Sequence, residues 1–195
     1  SIPAIISSGM ASLSEISRAV GIFAASQPPI VLHTTSLYPT PQDKARLKAI
    51  PFLAEHLRVA VGFSDHTIGS AAAALAVALG ATVIEKHFTL DRKDSGPDHA
   101  ASADPGIFAE TVQAIRVAEL MLGSYTDDFS SEELEMKRTS RKSLAARERL
   151  RRNCALEYSD VIGSRPGTGI PIETKDLWIG KILRRGVPAG ALLQQ

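Results

Sequence analysis

The chain has 195 residues, 44% of them hydrophobic and 22% charged, which suits a soluble globular protein of one or two domains and excludes a largely disordered one. Its one cysteine, Cys154, rules out an intramolecular disulfide and, with no signal-like start, favours a reducing, cytoplasmic setting in which the thiol is inert. The formal charge of +1 hides an asymmetry: residues 1–136 carry nine basic and sixteen acidic side chains, or −7, and residues 137–195 carry thirteen and five, or +8, so the tail can attract nucleic acid, an acidic surface or an anionic small molecule.

Four times in the first 123 residues a short apolar run precedes a segment with helical spacing, the pattern of parallel strands joined by crossover helices. Pro3 to Ser7 reads as the first strand, and Ser12 and Glu15 have capping-box spacing at the start of a helix whose Ile16, Val20 and Phe23 share a face. Ile30 to Ser36 is the second strand, and a helix near Pro51 to Leu57 has its proline in the first turn. Arg58 to Ser64 is the third strand, followed by an alanine-rich helix from Ile68 to Leu79 that Gly80 ends. The nearly apolar run Ala71 to Ile84 is shorter than the roughly 18 to 20 residues a bilayer span needs, so no membrane segment is expected.

Ala81 to Phe88 is the fourth strand. After a polar loop, Asp104 and Pro105 cap a helix with Phe108, Val112, Ile115, Ala118 and Leu122 on one stripe, and Gly123 closes it. Four such units are half of an eight-fold barrel, with an open parallel sheet as the rival arrangement. The expected domains are 1–123, an acidic polar linker over 124–138, and a small mainly-β domain over 139–195 whose one candidate helical piece is a basic turn around Ala145 to Arg152.

In parallel α/β folds the reactive groups gather at the C-terminal ends of the strands. Here those ends read Ser7-Ser8-Gly9-Met10, Thr34-Thr35-Ser36-Leu37-Tyr38, Ser64-Asp65-His66-Thr67 and Glu85-Lys86-His87-Phe88-Thr89. His66 and His87 lie at the mouths of neighbouring strands, about 4.8 Å apart. They either share an ion or are two separately hydrogen-bonded structural histidines. A two-imidazole site leaves positions for water and substrate and so suits a labile divalent ion better than a closed zinc site. Ser7, Ser36 and Ser64 can bind an oxyanion, with Gly9 admitting backbone and Lys86 supplying charge, or they can be turn-formers. In the loop Gly96-Pro97-Asp98-His99, Asp98 can grip sugar hydroxyls or make an Asx turn.

The strings Tyr38-Pro39-Thr40-Pro41, Gly62-Phe63-Ser64-Asp65-His66-Thr67, Glu85-Lys86-His87-Phe88-Thr89 and Gly96-Pro97-Asp98-His99, in this order, resemble the barrel motifs of the sialic acid synthase family. Arg141-Lys142-Ser143-Leu144 and Arg165-Pro166-Gly167-Thr168-Gly169 resemble that family's C-terminal antifreeze-like (SAF) domain. The likeness implies an α/β fold made of the second half of a TIM (β/α)8 barrel followed by that small domain. It implies a condensation in which C3 of phosphoenolpyruvate attacks the open-chain aldehyde of N-acetylmannosamine or a related N-acetylated amino sugar, polarised by a divalent ion. Water then adds at C2, and phosphate departs with C–O cleavage.

The same likeness implies that His66 and His87 hold Mn2+ or Mg2+, that Ser7, Ser36 and Ser64 lie around phosphoenolpyruvate, and that Tyr38 and Asp98 face the sugar. It further implies a homodimer in which the small domain closes the partner's barrel, with Arg165 reaching the neighbouring site, an arrangement that the charge asymmetry suits. Ser36 stands where enzymes making N-acetylneuraminate often have asparagine, which opens the alternative of a legionaminate or pseudaminate synthase. Asn153 takes a turn position that is usually glycine, since asparagine tolerates the left-handed region. The family's first four strands, with an acid–base glutamate and phosphate-binding lysines, have no counterpart, so the segment by itself is expected to be sticky, self-associating or inactive.

Two readings outside the family are weaker. A flavodoxin-like nucleotide-binding domain needs a glycine-rich turn, and Ser7-Ser8-Gly9-Met10 lacks G-x-G-x-x-G spacing. A nucleic-acid-binding module over Arg138 to Arg152 lacks interleaved aromatics, so a solvated basic face is favoured and no nucleic-acid partner is expected.

Overall fold

Alternation between the two faces of a parallel sheet organises the first part of the chain. The computed structural model describes residues 2–23, 27–124, 126 and 128–195, which divide into two units, Ser1–Ser124 and Tyr125–Gln195. In the first, β1 (Ile5–Ser7), β2 (Ile30–Thr34), β3 (Val61–Asp65) and β4 (Ile84–Lys86) form a parallel sheet in that order. Ile5 lies opposite Ile30, Val31 opposite Val61, and Phe63 opposite Ile84. The crossovers carry α1 (Leu13–Ile22), α2 (Ala49–Leu57) and α3 (Ala71–Ala78), and α4 (Pro105–Leu122) follows β4.

Val31, Val61 and Phe63 point to one face, where they meet Ile16 of α1, Ile50 and Leu53 of α2 and Ala76 of α3. A doubly wound sheet reverses its strand order and is covered by helices on both faces. Here the order is sequential and the three crossover helices lie on one face, which is the winding of consecutive units of a (β/α)8 barrel. The opposite face carries Ser7, Thr34, Ser64 and Glu85, which belong to the other phase of the alternation.

Caps are placed as the sequence indicates. Ser12 and Glu15 form a reciprocal capping box, Asp104 accepts from the Ile107 amide at 2.9 Å, and Gly80 and Asn153 have φ of 95° and 63°. Pro51 sits in the first turn of α2. The third strand begins later than expected because Arg58 does not extend: at φ 54° it closes α2, its amide donating to the Ala54 carbonyl. Ile68 and Gly69 likewise form a turn ahead of α3. The stripe on α4 exists but is left largely uncovered, with Phe108, Val112 and Leu122 each exposed and only Thr111 of that helix buried.

The second unit opens on α5 (Ser131–Ser140), although part of this stretch reads as a linker by composition. Its helicity comes from local chemistry. Ser130 and Glu133 make a capping box, Glu132 and Glu133 occupy the first turn, and Lys137 and Arg138 the last, each sign at the end of the macrodipole that favours it. Because these acids belong to the second unit, the charge split by unit is far smaller than the split at Lys137. Residues 1–124 carry nine basic against eleven acidic groups, −2, and residues 125–195 thirteen against ten, +3.

β5 (Ser143–Ala146) pairs antiparallel with β6 (Val161–Ser164) over a core of Leu144, Ala146, Leu150, Leu156, Val161, Ile170 and Leu193. Ala145 and Ala146, expected in a basic turn, are fully buried strand residues. The Cys154 thiol donates to the Arg151 carbonyl at 2.8 Å. Among the described residues, no helix is long and apolar enough to cross a membrane.

Two substitutions probe this fold. A Cβ on Gly62 would run into the Val83 carbonyl and lie 2.6 Å from Leu32 Cδ2, so Gly62→Ala should destabilise the first unit by about 1–3 kcal/mol in denaturant titration. His33 is buried, stacked on Phe63, with Nε2 donating to the Ala45 carbonyl at 2.8 Å. Burial first, and the charge of Arg46 after it, hold its pKa below the ordinary histidine value, partly opposed by the Ala45 bond. A lowered native pKa means that stability is intact above the unfolded value of about 6.5 and lost as pH falls from there through the native value. His33→Gln, whose amide can still donate to Ala45, should flatten that acid-side slope in melts taken across the window.

Candidate active site

The chemistry collects at the C-terminal ends of the four strands, in two adjoining groups. In the first, Ser7 Oγ lies 2.8 Å from Thr34 Oγ1 and accepts from the Gly9 amide at 3.2 Å. Gly9 leaves room for Ser36, since a Cβ there would come within 2.6 Å of Ser36 Oγ. Ser7, Gly9, Thr34 and Ser36 thus make a small hydroxyl-lined cradle, with Ser7 also serving its own turn.

The second group is aromatic. The Tyr38 ring centroid is 4.2 Å from that of His66 and 5.3 Å from that of His87, and the two imidazoles are 5.1 Å apart and nearly perpendicular. His66 is held by its Nδ1–H, which donates to the Thr35 carbonyl at 2.9 Å, while the Thr40 amide donates to the His66 carbonyl at 2.8 Å. Thr40 Oγ1 binds the Thr35 and Leu37 carbonyls and so shapes the loop that presents Tyr38.

That arrangement tests the site for a metal. With Nδ1 protonated, neutral His66 turns its Nε2 lone pair toward Ser64 Oγ, 3.2 Å away. Ser64 has one proton, and Glu85 Oε1 lies closer, at 2.7 Å, so the serine donates there and leaves the Nε2 lone pair free. A backbone carbonyl on one nitrogen and a free lone pair on the other is the usual preparation of a metal-binding histidine. His87 Nδ1 is 3.9 Å from Asp98 Oδ2, too long for a hydrogen bond. Among the described residues, no three His, Cys, Asp or Glu side chains gather around one point, so the protein donors would be the two imidazoles. The residues present fit a loosely held divalent ion with water and substrate in its remaining positions.

Lys86 does not join this site. It follows Glu85 by one residue and therefore points to the helix-covered face, where its ammonium bonds Asp65 Oδ2 and the Thr67 carbonyl, each at 2.8 Å. The same alternation places Glu85 in the site, on the face of Ser64 and two residues before His87. Sequence reasoning passed over Glu85 although period-two counting from His87 could have found it. Asp98 is half exposed beside His87, with its backbone carbonyl tied to Ser102, and His99 turns away to Thr89 Oγ1 at 2.7 Å.

Arg165 belongs to the second unit and is described within it. It follows β6, and its Nε donates to the Ser140 carbonyl at 2.9 Å. The loop after it is built on a serine from the other motif of this unit. Fully buried Ser143 donates to the Pro166 carbonyl at 2.8 Å and accepts from the Gly169 amide at 2.9 Å, while the Gly167 amide donates to the Arg138 carbonyl. The ion pairs of this unit among the described residues, Arg138 with Glu135 and Arg141 with Glu173, do not include Arg165.

With this geometry in hand, the relatives of the chain can be placed. N,N'-diacetyllegionaminic acid synthase of Legionella pneumophila is 40% identical over 199 residues, covering 98% of this chain and 56% of that protein. N-acetylneuraminate-9-phosphate synthase of Mus musculus is 37% identical over 150 residues, covering 74% of this chain and 41% of that one. The crystal structure of putative spore coat polysaccharide biosynthesis protein E from Chromobacterium violaceum superposes with a TM-score of 0.78 at 26% identity, over 98% of this chain and 59% of that one. The chain spans about half the length of the curated relatives it matches. The NeuB family model matches residues 1–127, the unit that carries the histidine pair and the hydroxyl cradle, and the chain belongs to the NeuB family.

Proposed function

We propose that this chain supplies the C-terminal half of the catalytic barrel, and a small antifreeze-like (SAF) domain, of a synthase that condenses phosphoenolpyruvate with an N-acetylated amino sugar into a nonulosonic acid and phosphate. The observation that carries this reading is the convergence of Tyr38, His66 and His87 at the strand mouths, backed by Ser64 and Glu85. His66 and His87 are the residues that would hold Mn2+ or Mg2+, and such an ion supplies Lewis-acid polarisation of the sugar aldehyde. Ser7 and Ser36 offer hydroxyls to phosphoenolpyruvate; Ser64, assigned to the same substrate, donates its one hydrogen to Glu85 here and would turn it from that carboxylate to serve phosphoenolpyruvate. Tyr38 and Asp98 face the sugar, and fixing both substrates in one site removes much of the entropic barrier to their reaction.

The acceptor reading leans toward a diacetylated sugar leading to a legionaminic-type acid, because Ser36 replaces the asparagine common in N-acetylneuraminate makers and because of the 40% identity to the Legionella protein. N-acetylmannosamine is the alternative. In the homodimer we envisage, Arg165 reaches the partner's substrate, and its freedom from a carboxylate partner among the described residues supports that role.

To test the activity, the chain is joined to the portion of the Legionella relative that it does not span, and phosphate release from phosphoenolpyruvate is measured with each sugar. Divalent-dependent turnover is expected, abolished by His66→Ala or His87→Ala, with phosphoenolpyruvate binding weakened but retained; the 195-residue chain alone should turn over little or nothing. Turnover by either histidine variant without added ion would overturn the metal assignment.

A mixing experiment tests the arginine. Arg165→Ala subunits and His66→Ala subunits of the joined protein, each nearly inactive, should regain activity after exchange, because one site of a mixed dimer is then intact. Arg165→Lys should not substitute well, lacking the planar fork. Proven exchange without recovery would assign Arg165 to its own barrel or to none.

A further inference from the structure

Behind the histidine pair, on the opposite face of the sheet, lies an ion pair that the proposed reaction does not use. Asp65 and Lys86 are register partners at the ends of β3 and β4, and their side chains are 0% and 4% exposed. Asp65 Oδ2 accepts from Lys86 Nζ at 2.8 Å, and its Oδ1 accepts from the Thr67 amide at 2.8 Å and the Thr67 hydroxyl at 2.7 Å. Lys86 Nζ also donates to the Thr67 carbonyl at 2.8 Å. These bonds close a ring across two strand ends.

Every member of the ring adjoins a histidine. Asp65 and Thr67 flank His66, and Lys86 precedes His87. Buried ion pairs are poor sources of net stability, because desolvating both charges offsets most of their attraction and well-packed apolar side chains often serve as well. What such a pair does supply is direction: its bonds fix one register and one backbone path. Asp65 and Lys86 are the last residues of their strands and Thr67 lies in the bend just beyond, so fixing these three sets the backbone path from which the imidazoles of His66 and His87 emerge.

We infer that Asp65, Lys86 and Thr67 are positioning residues, a clamp that sets the spacing and orientation of the His66 and His87 imidazoles. The inference rests on the two-histidine reading above, and it assigns the clamp no contact with substrate or metal.

The test uses the joined protein described above with two readouts. Without metal, nuclear Overhauser contacts between the His66 and His87 rings report their approach; with Co2+ alone, visible absorption reports affinity. Thr67→Ser should behave as the parent, whereas Thr67→Val should weaken Co2+ binding about tenfold, the size expected when a supporting hydrogen bond behind a ligand is lost. The apolar replacement of the pair, Asp65→Leu with Lys86→Met, should unfold cooperatively yet lose the inter-ring contacts and at least about tenfold in Co2+ affinity. If the double variant does not fold, the Thr67→Val and Thr67→Ser comparison decides. Parental ring contacts and affinity in folded clamp variants would overturn the inference. Co2+ binding that ignores His66→Ala and His87→Ala, with ring contacts still lost in the clamp variants, would remove the metal reading and leave the clamp standing.

Discussion

Strict alternation of side chains along β2, β3 and β4 is the constraint on which the first unit depends. One phase, Val31, Val61 and Phe63, is apolar and is covered by the helices; burying each such side chain is worth about 1.5–3 kcal/mol. The other phase faces the open side and changes along the strands from apolar Ile30 and Leu32 to polar Thr34, Ser64 and Glu85 at their C-terminal ends. A one-residue slip of any strand would exchange the two sets, placing carboxylate and hydroxyl groups against the helices and aromatic and aliphatic ones at the mouth. Core and chemistry therefore specify each other's register.

The ion pair of Asp65 and Lys86 is where this division is bent. Both residues belong to the helix-facing phase and are charged, yet they lie at the strand ends, beyond Phe63 and Ile84, where the apolar layer gives way to the loops. An unpaired charge there would be costly, and all the charge present is matched within the ring that Thr67 completes. The second unit uses a neutral version of the same device. Ser143, fully buried, satisfies a carbonyl and an amide of the loop after Arg165 and thereby ties two separate motifs of the sequence together.

Much of this was legible in the sequence because it is local. The capping box of Ser12 and Glu15, the proline at the head of α4 and the four strand–helix units follow from short-range spacing, and the left-handed Asn153 from the resemblance. The convergence of Tyr38, His66 and His87 was legible through strand ends and resemblance together. What escaped was pairing across distance. Lys86 reads as a substrate cation until its neighbour across β3 is known, and Glu85 gains its place only from Ser64, 21 residues earlier. α5 was hidden for a different reason: its surface is polar all round, so hydrophobic periodicity is silent and only its caps and charge order announce it.

The sheet tapers, with three residues in each outer strand against five in the two central ones. Free edges of a sheet invite strand addition in proportion to the backbone groups they expose, and short edges blunt it. In the barrel proposed above, the adjoining strands would find only a few amides and carbonyls on β1 or β4, so hydrogen bonding across these edges is limited. Side chains therefore share in any adhesion of this unit to another surface: half-exposed Ile5 on the open face and the uncovered Val112, Val117, Leu120 and Met121 of α4. Such contact is driven by release of water from apolar area, so it should strengthen with warming from the cold and tolerate salt, unlike adhesion through charge.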